Sequence, residues 1–300
     1  SFKLLLSARA NSPRVHFTQW APENPMTPPM LCMLLRKRLT SARLAVVRQP
    51  ELERMLCLDF DTINELGDEV RLTLIIEIMG RHSNVILVDE TSTIIEALKR
   101  VDAEMSSERL ILPGLPYNPP PAQNKLSMLS CTVQEAAEQI VSGPRDEELS
   151  KAILNTMQGV SPVVCREIAH LTGRGAELRN KNLTPEQKER LVFFLNRTFE
   201  TVRSASGKPC MVTEKTGKPL EFSFLDITQY GRVAVTKCAD SFSQLLDEFY
   251  FERDRLERMR TRSQGLLKIL TNASERLSRK INAQRAELEQ CAQREHLRVA

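Results

Sequence analysis

The sequence lacks the cysteine and histidine patterns that build disulfide frameworks and zinc sites. Its seven cysteines are an odd number without a Cys-x-x-Cys pair, and its four histidines do not cluster. This usage predicts free thiols in a reducing compartment. We therefore expect a cytoplasmic protein with neither a metal nor a cofactor.

Long apolar runs are also missing. No stretch approaches the roughly 20 apolar residues of a membrane-spanning helix, so we expect no membrane contact. The chain shows no secretory signal and opens without methionine on Ser1-Phe2-Lys3, a pattern typical of the middle of a strand. We expect an N-terminal piece to precede it.

The composition is that of a globular chain with room for two or three modest domains. Of 300 residues, 41% are hydrophobic and 27% charged, and 42 Lys and Arg face 38 Asp and Glu. A net charge of +4 must be concentrated to matter for nucleic acid. Residues 251–300 hold 12 Lys or Arg against 7 Asp or Glu, so this segment carries the excess.

Residues 1–125 predict an antiparallel β domain of about six strands with one packed helix, in an α+β chain. The helix is expected from Thr27 as N-cap and Pro28 in its first turn. The central hairpin joins two β-branched strands, Leu72–Met79 and Val85–Val88.

The turn of this hairpin is a candidate binding loop. Two stiff strands hold its polar residues at a tip, which is a common design for ligand contact. The other interpretation is a hairpin turn whose polar residues are only solvated. The turn consists of Gly80, Arg81, His82, Ser83 and Asn84.

Glu53 and Arg54 are a second candidate. As adjacent strand residues they point to opposite faces and cannot simply pair along one face, so we expect one of them to face solvent or a ligand. The alternative is an exposed ion pair across strands, worth about 0 to 1 kcal/mol.

Residues 130–238 predict a helical domain with a β-hairpin. Thr132 and Glu135 form a capping box. Two short helices joined through Gly159, Ser161 and Pro162 are typical of a helix-hairpin-helix, whose free N–H groups receive phosphate. Any short helical hairpin needs a glycine here, and the sequence leaves both interpretations open.

Residues 241–300 predict one long helix, the first arm of a coiled coil whose partner lies in a further segment or another chain. A basic cluster decorates its start, either as a solvated face or as a phosphate-contacting stripe. The cluster consists of Arg253, Arg255, Arg258, Arg260 and Arg262.

Several strings together resemble the bacterial NFACT family, the RqcH proteins, which are often labelled fibronectin-binding proteins. The resemblance covers the whole chain, and Glu77–Asn84 is its most specific part. It implies that the chain lacks the start of the N-terminal domain, the return arm of the coiled coil and the C-terminal domain. The strings are Leu5–Ala8, Ser12–His16, Pro28–Lys37, Glu77–Asn84, Leu112–Tyr117 and Pro119-Pro120.

The resemblance implies a non-enzymatic ribosome-associated quality-control factor with a first domain similar in fold to the DNA glycosylase MutM. Such a factor binds large ribosomal subunits through rRNA when they carry obstructed peptidyl-tRNA. It recruits alanyl-tRNA for C-terminal alanine tailing of the nascent chain. The family's tRNA-handling pair is Asp-Arg, and Glu53-Arg54 stands at that position. The matching loop residues are Arg81, His82 and Asn84.

Two other classes remain open at this point. One is a surface adhesin for fibronectin, against which the reduced-looking cysteines and the lack of an export signal count. The other is a MutM-like nucleic-acid enzyme, for which the sequence shows no glycosylase proline nucleophile, zinc finger or nucleophile–acid pair.

Overall fold

The computed structural model describes residues 2–20, 24–106 and 108–299, and within the last helix the side chains of 242–251, 253–255, 259–260 and 263–291. The strands are β1 (Leu4–Ser7), β2 (Arg14–Phe17), β3 (Arg43–Arg48), β4 (Met55–Ile63), β5 (Glu69–Glu77), β6 (Asn84–Val88), β7 (Ile94–Ala97), β8 (Cys210–Glu214), β9 (Pro219–Ser223) and β10 (Ala234–Cys238). The helices are α1 (Met30–Leu39), α2 (Val133–Ser142), α3 (Leu149–Thr156), α4 (Pro162–Gly173), α5 (Pro185–Arg203) and α6 (Phe242–Val299). The chain divides into two compact units, Ser1–Phe249 and Tyr250–Ala300.

A five-stranded antiparallel sheet in the order β3-β4-β5-β6-β7 supports the first half of the chain. Alternation along β5 sends Leu72, Leu74 and Ile76 to a core that includes Leu31 of α1, whereas Ile75 joins the core on the opposite face. Both faces are therefore covered, which explains why β6 is buried along its whole length and reads as a continuous apolar run.

The expectation of about six antiparallel strands in this domain is corrected, because its described residues form seven strands in two sheets. β1 and β2 pair as a separate two-stranded sheet, and β3 to β7 form the large sheet. The start of α1 is also corrected, because its N-cap is Pro29 rather than Thr27. A residue before a proline is disfavoured in the helical region, so the helix begins only after the Pro28-Pro29 pair.

Four helices pack around a second core. The capping box predicted at Thr132 is confirmed, and the structure adds a second one at Thr184 that was not predicted from the sequence. Thr132 and Thr184 each accept a bond from the backbone three residues on, and Glu135 and Gln187 return it. The small sheet β10-β8-β9 joins this core through Val212. The long helix predicted from about residue 241 is confirmed as α6.

Among the described residues, no helix has both the length and the apolar content to cross a membrane.

Candidate nucleic-acid interface

A tight turn places Glu53 and Arg54 immediately before β4. The Glu53 N–H donates to the Pro50 carbonyl at 3.0 Å, and the Ile78 N–H donates to the Arg54 carbonyl at 2.8 Å. The premise that both are strand residues is therefore wrong, since the strand begins at Met55. Arg54 is exposed and Glu53 is half-buried.

The partner of Glu53 is an amide from the helical region rather than a cation. Gln158 Nε2 donates to Glu53 Oε1 at 2.6 Å, across 105 positions of sequence. Gln158 is only 9% exposed, and its backbone N–H is fixed at 2.8 Å to the Leu126 carbonyl. The expected alternative of an ion pair across strands is thus replaced by a bond that links two regions of the fold.

Gly159 meets a side chain of the same turn. Its φ is +75°, and a Cβ atom built there would lie 2.7 Å from Leu52 Cβ. Leu52 itself packs against the helical core. Of the two interpretations left open, the structure favours the structural one for this residue, because the missing side chain admits Leu52.

Ser161 leaves the start of α4 without a side-chain cap. It is exposed and occupies the N-cap position, but its hydroxyl makes no capping hydrogen bond. Pro162 has no N–H, so the first donors of the helix belong to Val163 and Val164. Uncapped N–H groups at a helix start favour anions, which makes this end compatible with a phosphate oxygen.

These parts line one cleft of about 800 Å³. Glu53 and Arg54 contribute from the β domain, and Gly159 and Ser161 from the helical region. Lys125 adds a second cation at the wall, where its Nζ donates to the Leu154 carbonyl at 2.8 Å. Two candidates that lie about a hundred residues apart in sequence therefore belong to a single surface.

The second loop, Gly80–Ser83, turns at the end of β5 next to this cleft, since Ile78 bonds Arg54. Gly80 has φ +57°, and the Ser83 hydroxyl accepts from the Met79 N–H at 2.8 Å. Arg81 and His82 are both exposed and lie 2.9 Å apart, Arg81 Nε to His82 Nε2. The backbone of this loop is thus held by hydrogen bonds, while the guanidinium of Arg81 and the imidazole of His82 are exposed to solvent.

Asn84 does not share this exposure, and its expected contact with tRNA is corrected. The residue is 1% exposed. Its Oδ1 accepts from the N–H groups of Val85 and Lys99, and its Nδ2 donates to the Lys99 carbonyl. Every side-chain group is used by backbone, so Asn84 holds the loop rather than facing a ligand.

Lys99 was missed by sequence reasoning. Its Nζ donates to the Ala8 carbonyl at 2.7 Å and to the Arg81 carbonyl at 3.4 Å. The Lys99 side chain thus links Ala8, the residue after β1, to Arg81 in the exposed loop. A lysine at a strand end carries no pattern that would have identified this role.

A buried ion pair below the loop was also missed. Glu77 is 0% exposed and binds both Arg109 and the Tyr117 hydroxyl, the latter at 2.8 Å. Burial and the neighbouring Glu77 carboxylate raise the pKa of Tyr117. These bonds hold the segment around residue 109 against the end of β5, where Glu77 pairs with Met55 of β4. A glutamate inside an apolar run was the available signal.

The arginine cluster of α6 lies in the second compact unit. Arg253, Arg255 and Arg260 are exposed there, whereas the side chains of Arg258 and Arg262 lie outside the described residues.

The thiols and carboxylates form no obvious metal centre. All seven cysteines are free, and no three of the described His, Cys, Asp and Glu side chains are grouped to hold an ion. Cys210 and Cys238 lie on neighbouring strands with their sulfur atoms 3.4 Å apart, where burial and the Cys238 thiol raise the pKa of Cys210 to about 12.

Comparison with known proteins places this chain in a family. The model described as NFACT N-terminal and middle domains matches residues 1–300. Among relatives, "Rqc2 homolog RqcH" of Bacillus subtilis is 36% identical over 280 residues, which cover 93% of this chain and 46% of that protein. "Ribosome quality control complex subunit NEMF" of Homo sapiens is 24% identical over 79% of this chain and 23% of that protein.

Solved structures agree with the fold. The fibrinogen binding protein from Staphylococcus aureus aligns with a TM-score of 0.65 and 29% identity, over 83% of each chain. The N-terminal part of the fibronectin/fibrinogen-binding protein from Streptococcus suis aligns with a TM-score of 0.65 and 30% identity, over 84% of this chain and 83% of that one. This chain spans about half the length of the bacterial relatives it matches, and it belongs to the NFACT family through their N-terminal and middle domains.

Proposed function

We propose that this chain is the tRNA-handling part of a ribosome-associated quality-control factor. In this proposal the whole protein acts in the cytoplasm on large ribosomal subunits that carry stalled peptidyl-tRNA. It recruits alanyl-tRNA and so directs C-terminal alanine tailing. The names of the bacterial and human relatives support the coarse assignment, and the tRNA role rests on the cleft.

The observation that carries the proposal is that the Arg54 turn and the start of α4 share one cleft. An exposed guanidinium offers planar donors to phosphate or to base edges. The half-buried Glu53 carboxylate accepts from a base amino group, and the uncapped α4 N–H groups donate to a phosphate oxygen. Arg81 extends the cationic surface at the end of β5.

The basic stripe on α6 supplies the second proposed contact. Its arginines contribute to the +5 charge of residues 251–300, and we assign them to the rRNA phosphates of the large subunit. The assignment predicts binding that weakens as salt rises. Pairing of α6 as a coiled-coil arm belongs to the same proposal, as does the helix-hairpin-helix role of α3 and α4.

In this proposal the chain binds RNA and catalyses no reaction. Peptidyl transfer belongs to the ribosome, and neither a cofactor nor a metal is assigned.

The test is co-sedimentation of the full chain with large subunits that carry peptidyl-tRNA. We expect Arg54→Ala to remain bound to the subunit but to lose most of the recruited tRNA. Arg197→Ala is the matched control, because Arg197 is an exposed arginine on α5 outside the residues that line the cleft. Failure of the unaltered chain to sediment with subunits contradicts the proposal. Equal tRNA recovery with Arg54→Ala removes the site assignment.

A second candidate function rests on the fibrinogen- and fibronectin-binding names of the structural neighbours. If the chain is a surface adhesin, protease treatment of intact cells must degrade it. We expect it to survive that treatment and to be degraded only after lysis.

A further inference from the structure

The hydrogen bond between Gln158 and Glu53 joins two turns whose backbones are each held by a hydrogen bond of their own. On one side the Glu53 N–H is fixed to the Pro50 carbonyl, and on the other the Gln158 N–H is fixed to the Leu126 carbonyl. Leu52 fills the space beside Gly159 between them. The 2.6 Å hydrogen bond from Gln158 Nε2 to Glu53 Oε1 therefore joins two segments whose backbones are each held by a further hydrogen bond.

This arrangement uses only part of the carboxylate. An ionised carboxylate offers about four lone-pair sites on two oxygens, and Gln158 takes one site on Oε1. Glu53 lines the cleft, so Oε2 remains to accept from a ligand. Without the amide, the long glutamate side chain regains the rotamers that the bond suppresses.

We propose that Gln158 is a positioning residue for RNA: it holds the Glu53 carboxylate so that its second oxygen meets an amino or hydroxyl donor of the tRNA. This inference rests on the proposed function. It also explains the side-chain length at position 53, because an aspartate carboxylate stands about 1.5 Å further back, roughly one C–C bond, and loses contact with Gln158.

The experiment measures equilibrium binding of labelled alanine tRNA to the full chain, with thermal unfolding recorded in parallel. Gln158→Met keeps the approximate size and shape of the side chain but removes the donor. We expect it to weaken binding about tenfold, the usual scale for loss of a hydrogen bond to a charged group. Glu53→Ala is expected to weaken binding at least as much.

The double variant separates positioning from an independent contact. If Gln158 acts through Glu53, Gln158→Met adds nothing to Glu53→Ala. Two effects that multiply overturn the inference, as does wild-type affinity in Gln158→Met.

A swapped pair separates positioning from a purely structural role. Glu53→Gln combined with Gln158→Glu restores a bond between the two turns but moves the charge. We expect its melting temperature to match the unaltered chain while tRNA binding stays weak. Restored binding overturns the inference.

Failure of the proposed function has a different signature. If the unaltered chain does not bind tRNA, the proposed function fails, and if Arg54→Ala binds as well as the unaltered chain, the site assignment fails. This inference falls in both cases. If Arg54→Ala weakens binding and Gln158→Met does not, only the inference fails.

Discussion

The two arginine-bearing turns at the end of the large sheet are held in different ways. The Arg54 turn depends on the helical region, through Leu52 against Gly159 and through Glu53 bonded to Gln158. The Arg81 turn is tied down within its own domain by Ser83, Asn84 and Lys99. One turn therefore responds to the packing between two regions, whereas the other depends on the β domain alone.

The largest expected effect comes from Gly159→Ala, which disturbs the contact of the Arg54 turn with the helical region. The variant places a side chain at φ +75° and 2.7 Å from Leu52 Cβ. Left-handed backbone and overpacking together predict a loss of about 2 to 4 kcal/mol in the free energy of unfolding, measured by urea denaturation.

A matched glycine isolates the steric part. Gly217 has φ +87° with open space where a Cβ would stand, so Gly217→Ala reports the backbone cost alone, about 1 to 2 kcal/mol. Equal losses for the two variants would show that Leu52 does not oppose a side chain at 159.

Asn84→Ala is expected to rank second and to act on the other turn. Removing the amide leaves the N–H groups of buried Val85 and half-buried Lys99 without this acceptor, which predicts a loss of about 2 to 3 kcal/mol. Hydrogen exchange should accelerate at these two amides. Asn196→Ala, at an exposed α5 position, is the control and should change stability by less than about 0.5 kcal/mol. Unchanged exchange at 85 and 99 would contradict the assignment.

Arg81→Ala should leave stability within about 0.5 kcal/mol, since the side chain is exposed and surface changes are usually small. If Arg81 contacts a tRNA phosphate, affinity falls several-fold and the slope of log affinity against log salt becomes shallower by about 0.7 to 1. Titrations at 50 to 200 mM KCl, on the order used for such slopes, measure it. An unchanged slope removes Arg81 from the interface.

The smallest expected effect tests the sheet that supports both turns. The bond from Arg48, at 2.9 Å, and a second from Thr73 hold the pKa of Asp59 below its ordinary value. A lowered folded-state pKa gives stability that is present at neutral pH and lost as the pH falls through that pKa. Asp59→Asn should therefore flatten the acid limb of stability below about pH 4. An unaltered acid limb would contradict the assignment.

Local patterns predicted the elements that support the site. The β-branched runs around the central hairpin and the capping box at Thr132 were sufficient, because each depends on residues a few positions apart. The start of α1 was misplaced because two consecutive prolines outweighed the preference of Thr27 for an N-cap.

Residue type could not reveal the geometry of the site. Asn84 and Arg81 are both polar residues of the predicted turn. In the structure Asn84 is buried and bonded to backbone groups, whereas Arg81 is exposed. The link from Glu53 to Gln158 spans 105 positions, and no periodicity within either segment predicts it. Glu77 was detectable in principle, because a carboxylate inside an apolar strand requires a buried partner.

The fit of Leu52 beside Gly159 has an evolutionary consequence. Since the space for one side chain exists only because the other is missing, the two positions should covary among relatives. A lineage with glycine at position 52, which has no Cβ, is freed of the steric part of the constraint at 159, whereas one that keeps any other residue there should retain glycine.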